Sequence, residues 1–141
     1  MDYSLPVRRA ILPAMKDNDA LTDLIPEASI YGATVPIRRT FPFARYGAPI
    51  ATPFRLSGLN SSSIRVTIHA FTGPVADGGE AAEDLCWRMA AAIKTALDGR
   101  ALALEEGMTA TVAWVGSNCI VDRDEASAWH AIVNFQVDVA G

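Results

Sequence analysis

The sequence predicts an α+β fold: a mainly antiparallel sheet with helices packed on one face. Three observations carry that prediction. Apolar residues recur at helical spacing near the N-terminus and again between residues 78 and 98. The stretch 62–70 and the chain from residue 101 onward alternate with period two, and short turns separate the later strands, as antiparallel neighbours require. The 141 residues fit one domain, and a chain of this length buries about two-thirds of its unfolded surface without disulfide staples.

Taken in order, Ser4 is placed to cap a first helix over residues 5–16, with Pro6 in its first turn and Val7, Ile11 and Met15 on one apolar line. Pro13 removes a backbone donor and should kink or shorten that helix. Asn18 or Asp19 caps a short second helix with Leu21, Leu24 and Ile25 inward, and Pro26 stops it. Residues 32–60 carry Pro36, Pro42, Pro49 and Pro53 with several glycines, so they read as an extended arm or long loop. Only brief strands fit here, at Ile30–Tyr31 and Phe41–Tyr46. In "SSIRVTIHA", Ile64, Val66, Ile68 and Ala70 alternate with Arg65, Thr67 and His69, the pattern of a half-buried strand.

A central helix is expected from about 78 to 98. Asp77 and Glu80 resemble a capping box, and Gly99 ends it as a C′ glycine. Leu85, Cys86, Met89, Ile93, Ala96 and Leu97 form its apolar stripe. Trp87 falls opposite, with Ala90, Ala91 and Lys94 on its side. From Ala101 the chain reads as strands, with turns near Gly107 and at Asp122–Ala126 and a bulge at Gly116. In the last strand Trp129, Ala131, Val133, Phe135, Val137 and Val139 face one way; His130, Asn134, Gln136 and Asp138 face the other.

Composition narrows the function classes. Cys86 and Cys119 look like small buried apolar residues with no metal-site spacing, which fits a reducing compartment. The N-terminus lacks a signal-peptide layout and no apolar run reaches the roughly 18 residues of a bilayer span, so a soluble protein made in the cytoplasm, with no membrane partner, is expected. The net charge of -4 is unevenly spread. Between Ala28 and Ala76 there is no Asp or Glu, only Arg38, Arg39, Arg45, Arg55 and Arg65, while residues 77–141 hold 11 acidic residues against four basic ones.

Chemistry is sparse. His69 and His130 lie on polar faces of predicted strands and could meet if those strands are neighbours, as a metal or acid–base pair or as two solvent-facing side chains; no third ligand has a fixed position. "DRDEAS" lacks the spacing of a calcium loop. "GPVADGG" lacks the Lys and Ser/Thr of a phosphate loop, and Glu80, Glu83 and Asp84 already occupy that helix start. No nucleophile elbow or activated cysteine is present. Neither catalysis, cofactor nor metal is expected.

Three features exceed what a lone domain needs: the off-stripe Trp87, the acid-free segment, and a final strand long enough to outrun a small sheet. Trp87 with Ala90, Ala91 and Lys94 offers a flat surface for another chain, or for the chain's own arm. A ring of identical subunits accounts for all three, because a head-to-tail contact joins two different surfaces and here the two differ in charge. In that arrangement Trp87, Lys94, Arg38, Arg39 and Arg45 are the interface candidates.

The order of motifs resembles the tail-completion, or tail-terminator, proteins of long-tailed bacteriophages and gene transfer agents. The similarity lies in "DNDALTDLIPEASIYG", in Pro42 with Phe43 at a strand start, in the helix core of Ala82, Leu85, Ile93 and Leu97, and in the closing "WHAIVNFQVDV". It spans most of the chain. The resemblance implies a ring-forming α+β subunit, usually sixfold, that caps the tail tube at the tail–neck junction of the virion. It contacts the tail tube protein and a neck or connector protein, and DNA passes through its bore. It carries over no catalytic residue. Asp122, Asp124 and Glu125 are candidates for an acidic bore lining, with Glu105 and Glu106 next. Another head–tail connector component and a small enzyme or ligand-binding domain using His69 and His130 are the alternatives.

Overall fold

A computed structural model describes residues 2–47, 50–54, 61–73, 81–122 and 128–141. The fold is mixed α+β. Helix α1 (Ser4–Lys16) is followed by a single helical turn, α2 (Asp19–Thr22). Strands β1 (Ile30–Tyr31), β2 (Phe43–Tyr46), β3 (Ile50–Phe54) and β4 (Ser61–Phe71) precede the long helix α3 (Ala82–Leu97). Strands β5 (Ala101–Ala103), β6 (Thr109–Val121) and β7 (Trp129–Ala140) complete the sheet. Its order is β1-β2-β4-β7-β6-β5, with β3 also on β4. The β1–β2 pair is parallel, and the other pairings are antiparallel.

The helices follow the apolar spacing. Val7, Ile11, Ala14 and Met15 are buried in α1, which continues through Pro13 to Lys16. Pro13 is on the exposed side, so the Arg9 carbonyl it leaves free can bond water, while the core contacts on either side of it hold the helix together. The cap differs from expectation too. Tyr3 occupies the cap position without a side-chain bond, and the Asp2 carboxylate accepts the Ser4 amide at 2.8 Å. Asn18 caps α2 as expected, accepting from the Leu21 amide at 3.0 Å.

In α3, Cys86, Met89, Ile93, Ala96 and Leu97 are buried against the sheet, and so is Ala90, which the spacing had put beside Trp87. Helix α3 starts at Ala82, and the Asp77–Glu80 box lies outside the described residues. Gly99 follows with φ +75°, the left-handed position a helix-ending glycine takes. Buried Ile64, Val66, Ile68 and Ala70 of β4 and Ala131, Val133, Phe135, Val137 and Val139 of β7 complete one core with the three helices. Burying each large aliphatic contributes about 1.5–3 kcal/mol of transfer free energy.

Two sequence expectations change. The 32–60 segment is less irregular than expected: β2 falls within the brief strand expected at Phe41–Tyr46, and β3 adds a strand the sequence had not indicated; both pair with the same edge of β4, as an interrupted hairpin partner. Tyr46 faces Ile68 and Ile50 faces Arg65. Only about residues 32–42 remain irregular among the described part. The closing strand does not outrun the sheet. It is paired along its length by β4 and β6, which are just as long. The bulge in β6 lies where glycine marked it, between Trp114 and Gly116.

Candidate assembly surfaces

The sheet has a helix-covered face and an outer face, and strand parity assigns each side chain. On β2, Phe43 and Arg45 stand opposite Phe71 and His69 of β4, so all four share the outer face. Phe43 stacks on Phe71 at 4.7 Å between centroids, and Phe71 on His130 at 4.2 Å. Residues 32–42 fold over this column. Phe41 packs at 5.4 Å from Phe43, and Tyr31 at 6.1 Å.

Arginines decorate the column. The Arg39 guanidinium lies 5.2 Å from the Phe43 centroid and 5.9 Å from that of Phe41, and Arg45 lies 5.9 Å from that of Phe71, within cation–π range. Together with Ala33, Val35 and Asp122 these side chains line an open groove of about 350 Å³. Arg38 is exposed beside it. Arg45 therefore belongs to the sheet rather than to an arm. Asp122, a bore candidate on sequence grounds, is half-buried at this groove, whereas Asp124 and Glu125 lie outside the described residues. Glu105 and Glu106 sit in a short 3-10 turn, with Glu105 3.4 Å from Arg9.

His69 and His130 do meet. Their Nδ1 and Nε2 atoms are 2.8 Å apart, so one nitrogen donates and the other accepts. Burial is the main cause that lowers the His69 pKa from 6.5 to about 4, with Arg45 and His130 adding repulsion. Burial also lowers that of His130, and Asp122 partly opposes it. A Cβ on Gly47 would come within 3.1 Å of His69 Nε2 and 2.8 Å of the Thr67 carbonyl, so glycine lets β2 pass this close. Among the described residues no group of three or more potential metal ligands forms. The pair clasps β4 to β7.

The opposite flank is built by α3 and β6. Trp87 is 46% exposed and Ala91 is exposed next to it. Residues 32–42 cover the outer face, not this indole. Lys94 Nζ sits 3.9 Å from the Trp114 centroid, and Trp114 Nε1 donates to Ser117 Oγ at 2.9 Å. The aromatic column and Trp114 are the parts that sequence reasoning missed. Phe71 shares strand parity with His69, and Trp114 with Val112, which is the signal that places each on its face.

The comparisons with known proteins speak to this fold. The family model described as tail completion protein gp17 matches residues 9–140. The chain belongs to that family. Among solved structures, the fold is similar to a chain in the virion of a native gene transfer agent particle: TM-score 0.79 at 16% identity, with 96% of each chain covered. A second solved chain is similar at TM-score 0.53 and 13% identity, over 96% of this chain and 94% of that one. No curated protein matches. The described part presents two exposed candidate surfaces, on opposite faces of its sheet.

Proposed function

We propose that this chain is a structural virion protein that forms a ring, most simply sixfold, on the end of the tail tube. The ring stops tube growth and joins tail to neck, with DNA passing through its bore. One observation supports this beyond family membership. The basic margin of Arg38, Arg39 and Arg45 and the flank of Trp87, Lys94 and Trp114 lie on opposite faces of one sheet. Two unlike patches so placed suit a heterologous contact, which repeats around a ring, better than a self-complementary dimer. Exposed Glu83 and Asp84 at the start of α3 give the Trp87 flank the charge that the arginines want.

Negative-stain images of the purified protein, alone and mixed with its tube protein, test the proposal. Rings seated on tube ends, with overlong tubes when the protein is omitted, are expected. Tubes that are unchanged in length and carry no end density would overturn it. Assembly should also weaken as salt rises, because exposed pairs are screened over roughly 10 Å at 0.1 M.

A further inference from the structure

Among the described residues, strand β6 is a largely uncovered margin of the sheet. On its outer edge β5 covers only Thr109–Thr111. The Gly99 amide donates to the Val112 carbonyl and the Val112 amide to the Arg100 carbonyl, and the Asp98 carboxylate accepts the Trp114 amide. From Val115 to Val121 no strand lies on that edge among the described residues. Natural sheets protect such an edge with charge, proline or a covering element. Thr109–Val121 contains neither a charged residue nor a proline, and Val115, Ile120 and Val121 are 48%, 41% and 55% exposed. Strand β3, at the other margin, carries Pro53, which cannot donate to an added strand.

Helix α3 runs beside the open edge. The buried Cys86 and Cys119 side chains neighbour each other near one end, and Lys94 covers Trp114 near the other. Trp87 and Ala91 between them form an exposed shelf along the edge.

We infer that residues 33–40 of a second copy of this chain add as a strand to Val115–Val121. The inference rests on the ring reading above and names its contact. Three observations select that occupant. Ile37 is 96% exposed, the extreme among the large apolar side chains described. Arg38 and Arg39 flank it, and exposed Glu83 and Asp84 lie one helical turn from Trp87 on the receiving flank. The lengths are compatible as well: seven residues of open edge span about 23 Å, and the eight residues of the arm, extended, span about 26 Å. Pro36 fits with its nitrogen turned outward, which leaves Val35, Ile37 and Arg39 to offer their amides to β6. Ile37 then rests beside Trp87 and Val121.

Two experiments on the full chain assembled with its tube protein test this. In a Cys86→Ala, Cys119→Ala background that keeps the wild-type ring yield, Ile37→Cys combined with Ser117→Cys or with Val121→Cys should give a ladder of cross-linked oligomers under mild oxidation, absent from each single variant. Val115→Lys and Val121→Lys, which change exposed positions and should keep the wild-type circular dichroism and melting temperature, should lower ring yield at least tenfold. Rings that form at wild-type yield in both lysine variants, with no ladder from either cysteine pair, overturn strand addition and leave the ring reading intact. Absence of rings from the wild-type protein overturns both.

Discussion

His69 and His130 share one hydrogen bond, Nδ1 to Nε2 at 2.8 Å, across two strands that carry about a third of the core residues. That bond exists only while at least one facing nitrogen is bare. A doubly protonated pair would set two N–H groups against each other, next to the Arg45 cation.

The pair should make stability depend on pH. The folded pKa of His69, about 4, lies below its usual 6.5, so between those values the unfolded chain binds more protons and stability falls as the pH drops. Above 6.5 the effect is flat. Because both rings are only half-buried, the loss between pH 7.5 and 5 is on the order of 1 kcal/mol, or about 4 °C in Tm. Carboxylates also titrate near the lower limit, so the comparison is with His69→Asn. Thermal melts across this range should show a shallower pH slope for the variant; parallel slopes would exclude the pair as the cause.

Trp87→Ala should weaken assembly by more than about 1 kcal/mol and leave the monomer nearly unchanged. The indole is 46% exposed in the folded subunit, so its own core loses little. Sedimentation of ring against monomer, with a monomer melt beside it, separates the two effects. A monomer weakened by several kcal/mol would return the indole to its own core.

Gly73 and Gly107 both hold positive φ, +65° and +74°, and they differ in what surrounds them. A Cβ on Gly107 meets nothing within 4 Å, whereas one on Gly73 would run into the Phe41 ring. Gly107→Ala should therefore show backbone strain alone, about 1 kcal/mol, and Gly73→Ala should exceed it by about 1–3 kcal/mol as the arm lifts from the aromatic column. Equal losses in urea melts would mean that the arm yields without resistance.

The sequence exposed what periodicity controls. The α3 stripe, the inward set of β7, the Asn18 cap, Gly99 and the β6 bulge all follow from local spacing and turn chemistry. The candidate surfaces were half legible. Trp87 stood out by its helix angle, and His69 and His130 by their shared polar faces. What gathers Phe41, Phe43, Phe71, Arg39 and Arg45 is the pairing of β2 with β4, a contact between segments with about twenty residues between them, and no local pattern carries that register. Ser4 and Asp2 show the finer limit: both suit a helix start, and which one bonds depends on where the first turn closes.

Tyr46 packs into the core with less than 2% exposure, and its hydroxyl finds no hydrogen-bond partner among the described residues. A buried donor left unpaired costs about 1–3 kcal/mol, and burial pushes its pKa well above the usual value. Tyr46→Phe removes the oxygen and keeps the ring, so it should leave Tm unchanged or raise it by up to about 4 °C. A clear drop in Tm would reveal a partner for the hydroxyl.

The bore is the remaining test, and it follows from charge balance. DNA that must slide through a ring should not be gripped, because each Lys or Arg on a phosphate adds salt-dependent affinity and slows passage. A neutral or weakly acidic lining is expected. Residues 77–141, with 11 acidic side chains, are its expected source; Asp122, Asp124 and Glu125 are the first candidates and Glu105 with Glu106 the next, and of these Asp122 is half-buried at the arginine groove. The assembled ring should bind duplex DNA more weakly than micromolar even at low salt. Micromolar or tighter binding that is lost on replacing arginines would show a basic lumen and overturn the expectation. If binding is weak and particles with Asp122→Asn and Asp124→Asn still deliver DNA normally, those two carboxylates are dispensable, and a neutral bore is the version that stands.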